Sequence, residues 1–367
     1  RIYLDGNSLG RLPKATRERL HQVVDQWGRE LVGGWHDWID APRRTGDALA
    51  EVLGARPGHV LVTDSTTVNL YKLVHAVLDA EPALRVLVTD RDNFPTDRYV
   101  LEGIARARRL KLVLLDGGAE IPEHALVVRS HVDYRSGEIA DIEALEGRHT
   151  VIWDLSHSAG AVPVRLPERG VRYAVGCTYK YLNAGPGALG YLYVRESDAL
   201  RTPIQGWFGQ NEQFFMERPY EPAPGITRFM AGTPPILVLA AVEEGVRISA
   251  EAGIEAIREK SVAQTELLIA LHDQWLAPLG FELGSPRDPG RRGSHVSLRH
   301  PEAWPICRAL IERADVVPDF RGPDCIRLGI APLYTRYVDV YDALDRLRDL
   351  VERGVQRDVD PSFSKVT

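Results

Sequence analysis

Apolar positions in the first half of the chain fall into short, valine-rich runs separated by helical stretches. Val60-Leu61-Val62-Thr63, Arg85-Val86-Leu87-Val88-Thr89, Lys111-Leu112-Val113-Leu114-Leu115, Ala125-Leu126-Val127-Val128 and Thr150-Val151-Ile152-Trp153 read as strands. Tyr173-Ala174-Val175-Gly176 and Gly190-Tyr191-Leu192-Tyr193-Val194 continue the series. Several are apolar at successive positions, as expected of strands covered by helices on both faces. Helical periodicity runs between them, for example over 68–79 and 95–107. This alternation predicts an α/β fold whose large, mostly parallel sheet is sandwiched by helices.

The pattern changes after Pro234-Pro235. A helical stretch over 237–275, interrupted at Ala252-Gly253, leads into shorter strands at 295–299 and 325–329. Helices over 305–314 and 339–353 alternate with them, which predicts a smaller α+β domain. Three units are expected. Residues 1–40 form an N-terminal segment whose helix, over 14–31, packs with the small domain; 41–250 form the large domain and 251–367 the small one.

Composition removes several function classes. Hydrophobic residues make up 44% and charged residues 26% of the 367, the balance of an ordinary globular protein. A net charge of -6 leaves no basic footprint for nucleic acid and disfavours an anionic membrane surface. Basic groups such as Arg106-Ala107-Arg108-Arg109 are short and read as solvated faces. Cys177, Cys307 and Cys325 show no CxxC spacing, so neither a disulfide framework nor a zinc site is expected. There is no run of eighteen apolar residues, and the first residues lack a signal-peptide layout. The expectation is a soluble, cytoplasmic protein.

Candidate chemistry centres on Gly176-Cys177-Thr178-Tyr179-Lys180-Tyr181-Leu182-Asn183, where a lysine follows a strand and precedes a Gly/Pro-rich loop. Most lysines are surface charges. Lys180, flanked by two tyrosines in a segment short of charge, suits a Schiff-base amine. Twenty-six residues earlier, Asp154 ends an apolar strand, where ligands bind in α/β sheets. It also suits an N-cap. Pyridoxal phosphate needs both a lysine amine and a carboxylate that keeps its ring nitrogen protonated, and Lys180 with Asp154 supplies the two. Asp64-Ser65-Thr66-Thr67-Val68 reads equally as a helix cap or as a phosphate cradle at a helix N-terminus. Phe94, in Asn93-Phe94-Pro95-Thr96-Asp97, could stack on a flat ring or simply pack. The histidines show no metal-ligand spacing.

Taken in order, these segments resemble the kynureninases, a branch of the aspartate-aminotransferase-like (fold-type-I) pyridoxal-phosphate enzymes. Tyr3-Leu4-Asp5-Gly6-Asn7-Ser8-Leu9-Gly10, Gly206-Trp207-Phe208-Gly209 and Gly232-Thr233-Pro234-Pro235 add to the likeness, as do Arg292-Gly293-Ser294-His295 and Ile326-Arg327-Leu328-Gly329. The resemblance implies hydrolysis of L-kynurenine at Cβ–Cγ, giving anthranilate and L-alanine. It assigns Lys180 the covalent bond to the cofactor and the Cα proton, Asp154 the ring nitrogen, and Thr66 and Thr67 the phosphate. Phe94 would stack on the ring with Asp97 near by. Ser130, His157 and Tyr179 would complete the cofactor shell, with Tyr179 also relaying protons. Arg327 would bind the substrate carboxylate. Trp207 and Thr233 would reach the neighbouring subunit's site, making a homodimer the working unit. Trp35 and Gly232 would shape the aryl end of the pocket and favour L-kynurenine over L-3-hydroxykynurenine. Trp38 is the alternative counterpart of Trp35. Rival readings are a cysteine desulfurase or aminotransferase, and a catalytically silent cofactor-binding protein.

Overall fold

The computed structural model describes residues 1–117, 119–215, 219–360 and 362. Strand β1 (Ile2–Tyr3) is followed by helices α1 (Lys14–Glu30), α2 (Trp35–Trp38) and α3 (Ala41–Val52). Next come β2 (Val60–Val62), α4 (Thr66–Ala80), β3 (Val86–Asp90), α5 (Pro95–Arg108) and β4 (Lys111–Leu115). Strands β5 (Ala125–Ser130), β6 (Thr150–Asp154), β7 (Tyr173–Cys177) and β8 (Gly190–Val194) complete a seven-stranded sheet. Its order is β2-β8-β7-β6-β5-β3-β4, parallel throughout except for β8. These are the seven strands expected from the apolar runs, each end displaced by two residues at most.

Helices α6 (Ile236–Ala252) and α7 (Ile254–Leu271) follow, parted at Gly253, whose φ of 76° suits glycine. The side-chain alternation of the strands explains their unbroken hydrophobicity. In β6, Val151 and Trp153 pack with Leu49 of α3 and Val242 of α6, while Ile152 packs with Leu73 of α4 and Ile104 of α5. The central strands therefore bury both faces, while the edge strand β4 stays partly exposed. Gly46 lets α3 close on β2, because a Cβ there would lie 2.2 Å from the Val60 carbonyl oxygen.

The rest of the chain adds β9 (Glu282–Leu283), β10 (His295–Arg299), α8 (Ala303–Arg313), β11 (Val316–Val317), β12 (Asp319–Arg321), β13 (Cys325–Gly329) and α9 (Tyr337–Glu352). An antiparallel sheet of order β12-β13-β10-β9 shares a second core with α7, α8 and α9. Residues 361 and 363–367 of the expected C-terminal unit lie outside the described residues.

The N-terminal segment divides, against expectation. Strand β1 pairs in parallel with β11, and Ile2 and Leu4 enter the second core. Helix α1 instead lies along α6, where Arg19 meets Glu243 at 3.5 Å. Its buried positions, Thr16 and Val23, are too few to extend the second core, so the helix settles on the large sheet's outer layer. Among the described residues no helix is long and apolar enough to cross a membrane.

Candidate active site

The carboxyl ends of the parallel strands converge on one cavity of about 220 Å³. Strand β5 ends at Ser130 and β6 at Asp154, which are register partners. The loop after β7 supplies Tyr179 and Lys180, the start of α4 supplies Thr66 and Thr67, and the start of α5 supplies Phe94 and Asp97. His157 lies one turn beyond Asp154 and lines the same space. Nine residues singled out from sequence thus share one wall, at the edge where α/β sheets bind ligands. Thr96, Val132, Tyr134 and Ser156 also line it and were not anticipated. Tyr134 was the most legible of these, an aromatic residue in the loop directly after β5.

The turn before α4 is built to receive an anion. Ser65 caps the helix by accepting a hydrogen bond from the Val68 N–H at 3.3 Å. The cap and the cradle therefore coexist, with Thr66 and Thr67 on the helix's positive end. Strand β8 can approach this turn only through Gly190, where a Cβ would stand 2.7 Å from the Thr66 nitrogen.

Two carboxyls and one amine set the electrostatics. The Asp154 side chain accepts the Ser156 N–H at 2.8 Å, and its carbonyl accepts the His131 N–H at 2.9 Å. Asp97 is buried beside it. Burial first, and the charge of Asp154 second, push the Asp97 carboxyl well above the usual carboxylate range. The two carboxyls are hydrogen-bonded, and Asp97 is the one drawn toward its protonated form. Asn93 holds Asp97 at 3.4 Å and is itself fixed by the Ser130 hydroxyl, which donates to its Oδ1 at 2.6 Å.

Lys180 Nζ lies 2.8 Å from His157 Nε2 and 5.9 Å from the centre of the Phe94 ring. Burial, and then the charge of Lys180, draw His157 well below the ordinary imidazole value. The neutral ring accepts the ammonium's hydrogen bond. Tyr179 is held above its usual value by nearby Cys177 and by burial, so its phenol stays protonated.

Five expected site residues do not line this cavity. Arg327 is buried behind it, donating to the carbonyl of Tyr134, to Ser8 Oγ at 3.2 Å, and through Nε to Asp319 Oδ2 at 2.6 Å. Trp35 packs on Phe208 at 6.0 Å and edge-on to Trp38 at 5.8 Å. Trp207 packs on Phe208 at 4.5 Å and is exposed, as are Gly232 and Thr233. The Phe208 N–H donates to the Ala231 carbonyl at 3.3 Å, so these four residues form a surface group of their own.

A lysine amine, a carboxylate at a strand end and a helix N-terminus facing one cavity define a pyridoxal-phosphate enzyme of the fold-type-I class. The donor set fits that cofactor, with an amine for its carbonyl carbon, an acid pair for its ring nitrogen and backbone dipoles for its phosphate. Solved structures agree on the fold. An apo cysteine desulfurase from Thermococcus onnurineus NA1 superposes with a TM-score of 0.79 at 19% identity, covering 96% of this chain and 95% of that one. A C-DES variant with glycine covalently linked to its PLP cofactor gives 0.78 at 18% identity, covering 95% and 96%. The aminotransferase class-V family matches residues 2–300, and the kynureninase C-terminal domain matches 257–347. The Pseudomonas fluorescens kynureninase is 43% identical over 96% of this chain and 89% of its own length. A Burkholderia pseudomallei kynureninase is 42% identical over 97% and 90%. The chain belongs to the pyridoxal-phosphate-dependent kynureninase family.

Proposed function

We propose that this chain hydrolyses the Cβ–Cγ bond of L-kynurenine to give anthranilate and L-alanine, with L-kynurenine preferred over L-3-hydroxykynurenine. The observation that carries the reading is the Lys180–His157 contact beside the Asp97–Asp154 pair, in a chain of this family. When bound, pyridoxal phosphate supplies a protonated ring that takes up the electron pair released at the substrate Cα. Lys180 holds it covalently, Asp154 holds its ring nitrogen, Thr66 and Thr67 take its phosphate, and Phe94, Ser130 and His157 complete its shell.

The chain's own groups perform the proton transfers. The Lys180 amine would take the Cα proton, and His157, 2.8 Å away, would orient it for that role. Tyr179 keeps its proton and donates it as water adds to the γ-carbonyl and the Cβ–Cγ bond breaks. Arg327 takes the substrate carboxylate. Its Nε edge is braced by Asp319, and its Nη1 donates to the carbonyl of Tyr134, a residue that lines the cavity. Arg327→Lys is expected to lower kcat/KM by about 10²-fold while leaving the cofactor spectrum unchanged, because lysine lacks the planar fork. Unaltered kcat/KM would place the carboxylate elsewhere.

The surface group of Trp35, Trp207, Gly232 and Thr233 supports a homodimer in which Trp207 and Thr233 complete the partner's site. All four stand away from their own cavity, and Trp207 is 38% exposed. Three free, buried thiols, Cys177, Cys307 and Cys325, support a reducing, cytoplasmic setting. The burial of all three also disfavours a desulfurase, which needs an accessible thiolate.

Substrate preference follows from the aryl-end residues. Carried to the partner's cavity with Trp207 and Thr233, Trp35 would offer an apolar wall and Gly232 no side chain, so an added ring hydroxyl would be buried unpaired at a cost of about 1–3 kcal/mol. That corresponds to about 5- to 150-fold in kcat/KM. Anthranilate fluorescence and product assay with both compounds, on the wild type and on a Trp35→His, Gly232→Ser, Thr233→Asn variant, test it. Equal or higher wild-type efficiency on the hydroxylated compound would overturn the preference, and absence of anthranilate would overturn the activity.

A further inference from the structure

Lys72 is a charged side chain in the middle of α4 that is 0% exposed. Helical side chains lean toward the N-terminus, and Lys72 reaches back along its helix to the turn that opens it. Its Nζ donates to Asp64 Oδ2 at 2.6 Å and to the Phe229 carbonyl at 2.6 Å. Asp64 directly precedes Ser65, Thr66 and Thr67, and holds a left-handed φ of 45°. The side chain of Asp64 is 28% exposed and pairs with the fully enclosed Lys72. A carboxylate thus stands one residue from an anion cradle, where it would repel a phosphate if left alone.

The second partner lies on another element. Phe229 is fully buried, and the chain after it turns outward through Ala231 to Gly232 and Thr233. The ammonium therefore clips the turn at 64–67 to the segment that carries the exposed aryl-end residues. A buried lysine is costly unless it is paired and hydrogen-bonded, and both conditions are met here.

We propose that Lys72 is a positioning residue for the cofactor phosphate, cancelling the charge of Asp64 at the turn and tying that turn to the segment 229–233. The inference rests on the assignment of the phosphate to Thr66 and Thr67. Charge cancellation makes a prediction of sign that a purely structural pair does not make. Lys72→Met leaves Asp64 uncompensated beside the cradle. Asp64→Asn removes the carboxylate while keeping an oxygen for Lys72, and asparagine tolerates the left-handed backbone.

The readout is the ratio of affinities of the full chain, stripped of cofactor, for pyridoxal phosphate and for pyridoxal, which lacks the phosphate. Lys72→Met is expected to lower the preference for the phosphorylated form about tenfold, and Asp64→Asn to hold or raise it. A fall in both variants, or no change in Lys72→Met, overturns the proposal. If Lys72→Met does not fold, Asp64→Asn decides alone, since a fall there contradicts charge cancellation. A Thr66→Val, Thr67→Val variant separates the two layers. If it leaves the ratio unchanged, the phosphate assignment fails. If it lowers the ratio while Lys72→Met does not, only the role of Lys72 fails.

Discussion

Lys180→Ala is expected to abolish the visible absorbance of lysine-bound cofactor and to cut turnover by roughly 10³-fold or more, the scale of a lost positioned acid–base group. Among the described residues, Lys72 is the fully buried rival to Lys180. Lys72 is fully enclosed, does not line the cavity, and spends its observed bonds on Asp64 and the Phe229 carbonyl. Lys180 is half-buried, lines the cavity and bonds to His157 rather than to a carboxylate, so its amine can exchange one partner for another. Borohydride reduction of the loaded enzyme followed by peptide mapping should mark Lys180. A mark on Lys72 or any other lysine would refute the assignment, whatever the kinetics of the alanine variant.

The strands of the large sheet were legible because burial on both faces leaves a direct trace, an apolar run without alternation. Asp154 and Lys180 were legible for a related reason, each being a charged residue set in or just after such a run. Asp97 was assigned only a place near the cofactor, and its bond to Asp154 was not foreseen. That contact joins β6 to the start of α5, elements 57 residues apart in the chain, and no local pattern encodes it. The partner of Arg327 was hidden for a different reason. Asp319 lies only eight residues away, but the pairing depends on the register of β12 on β13, which places the two directly opposite. The course of α1 was misjudged because an amphipathic pattern shows which face is buried and not what buries it.

Asp154→Asn is expected to fold normally and to lose roughly 10²–10³-fold in turnover, the scale of a deleted electrostatic contact at a reacting centre. An amide cannot keep the ring nitrogen of the cofactor protonated, so the electron pair at Cα has nowhere to go. The neighbouring carboxyl supplies the internal control. Asp97 is the carboxyl of the pair whose affinity for a proton is raised, by burial first and by the charge of Asp154 second. Asp97→Asn therefore replaces the carboxyl that holds a proton more tightly, and its NH2 group can still donate to Asp154. Its loss in kcat is expected to be at least about tenfold smaller than that of Asp154→Asn. Two substitutions of the same kind, one hydrogen bond apart, thus separate a charge requirement from a shape requirement. Equal losses in the two variants would mean that Asp97 carries the working charge, and the roles of the pair would have to be exchanged.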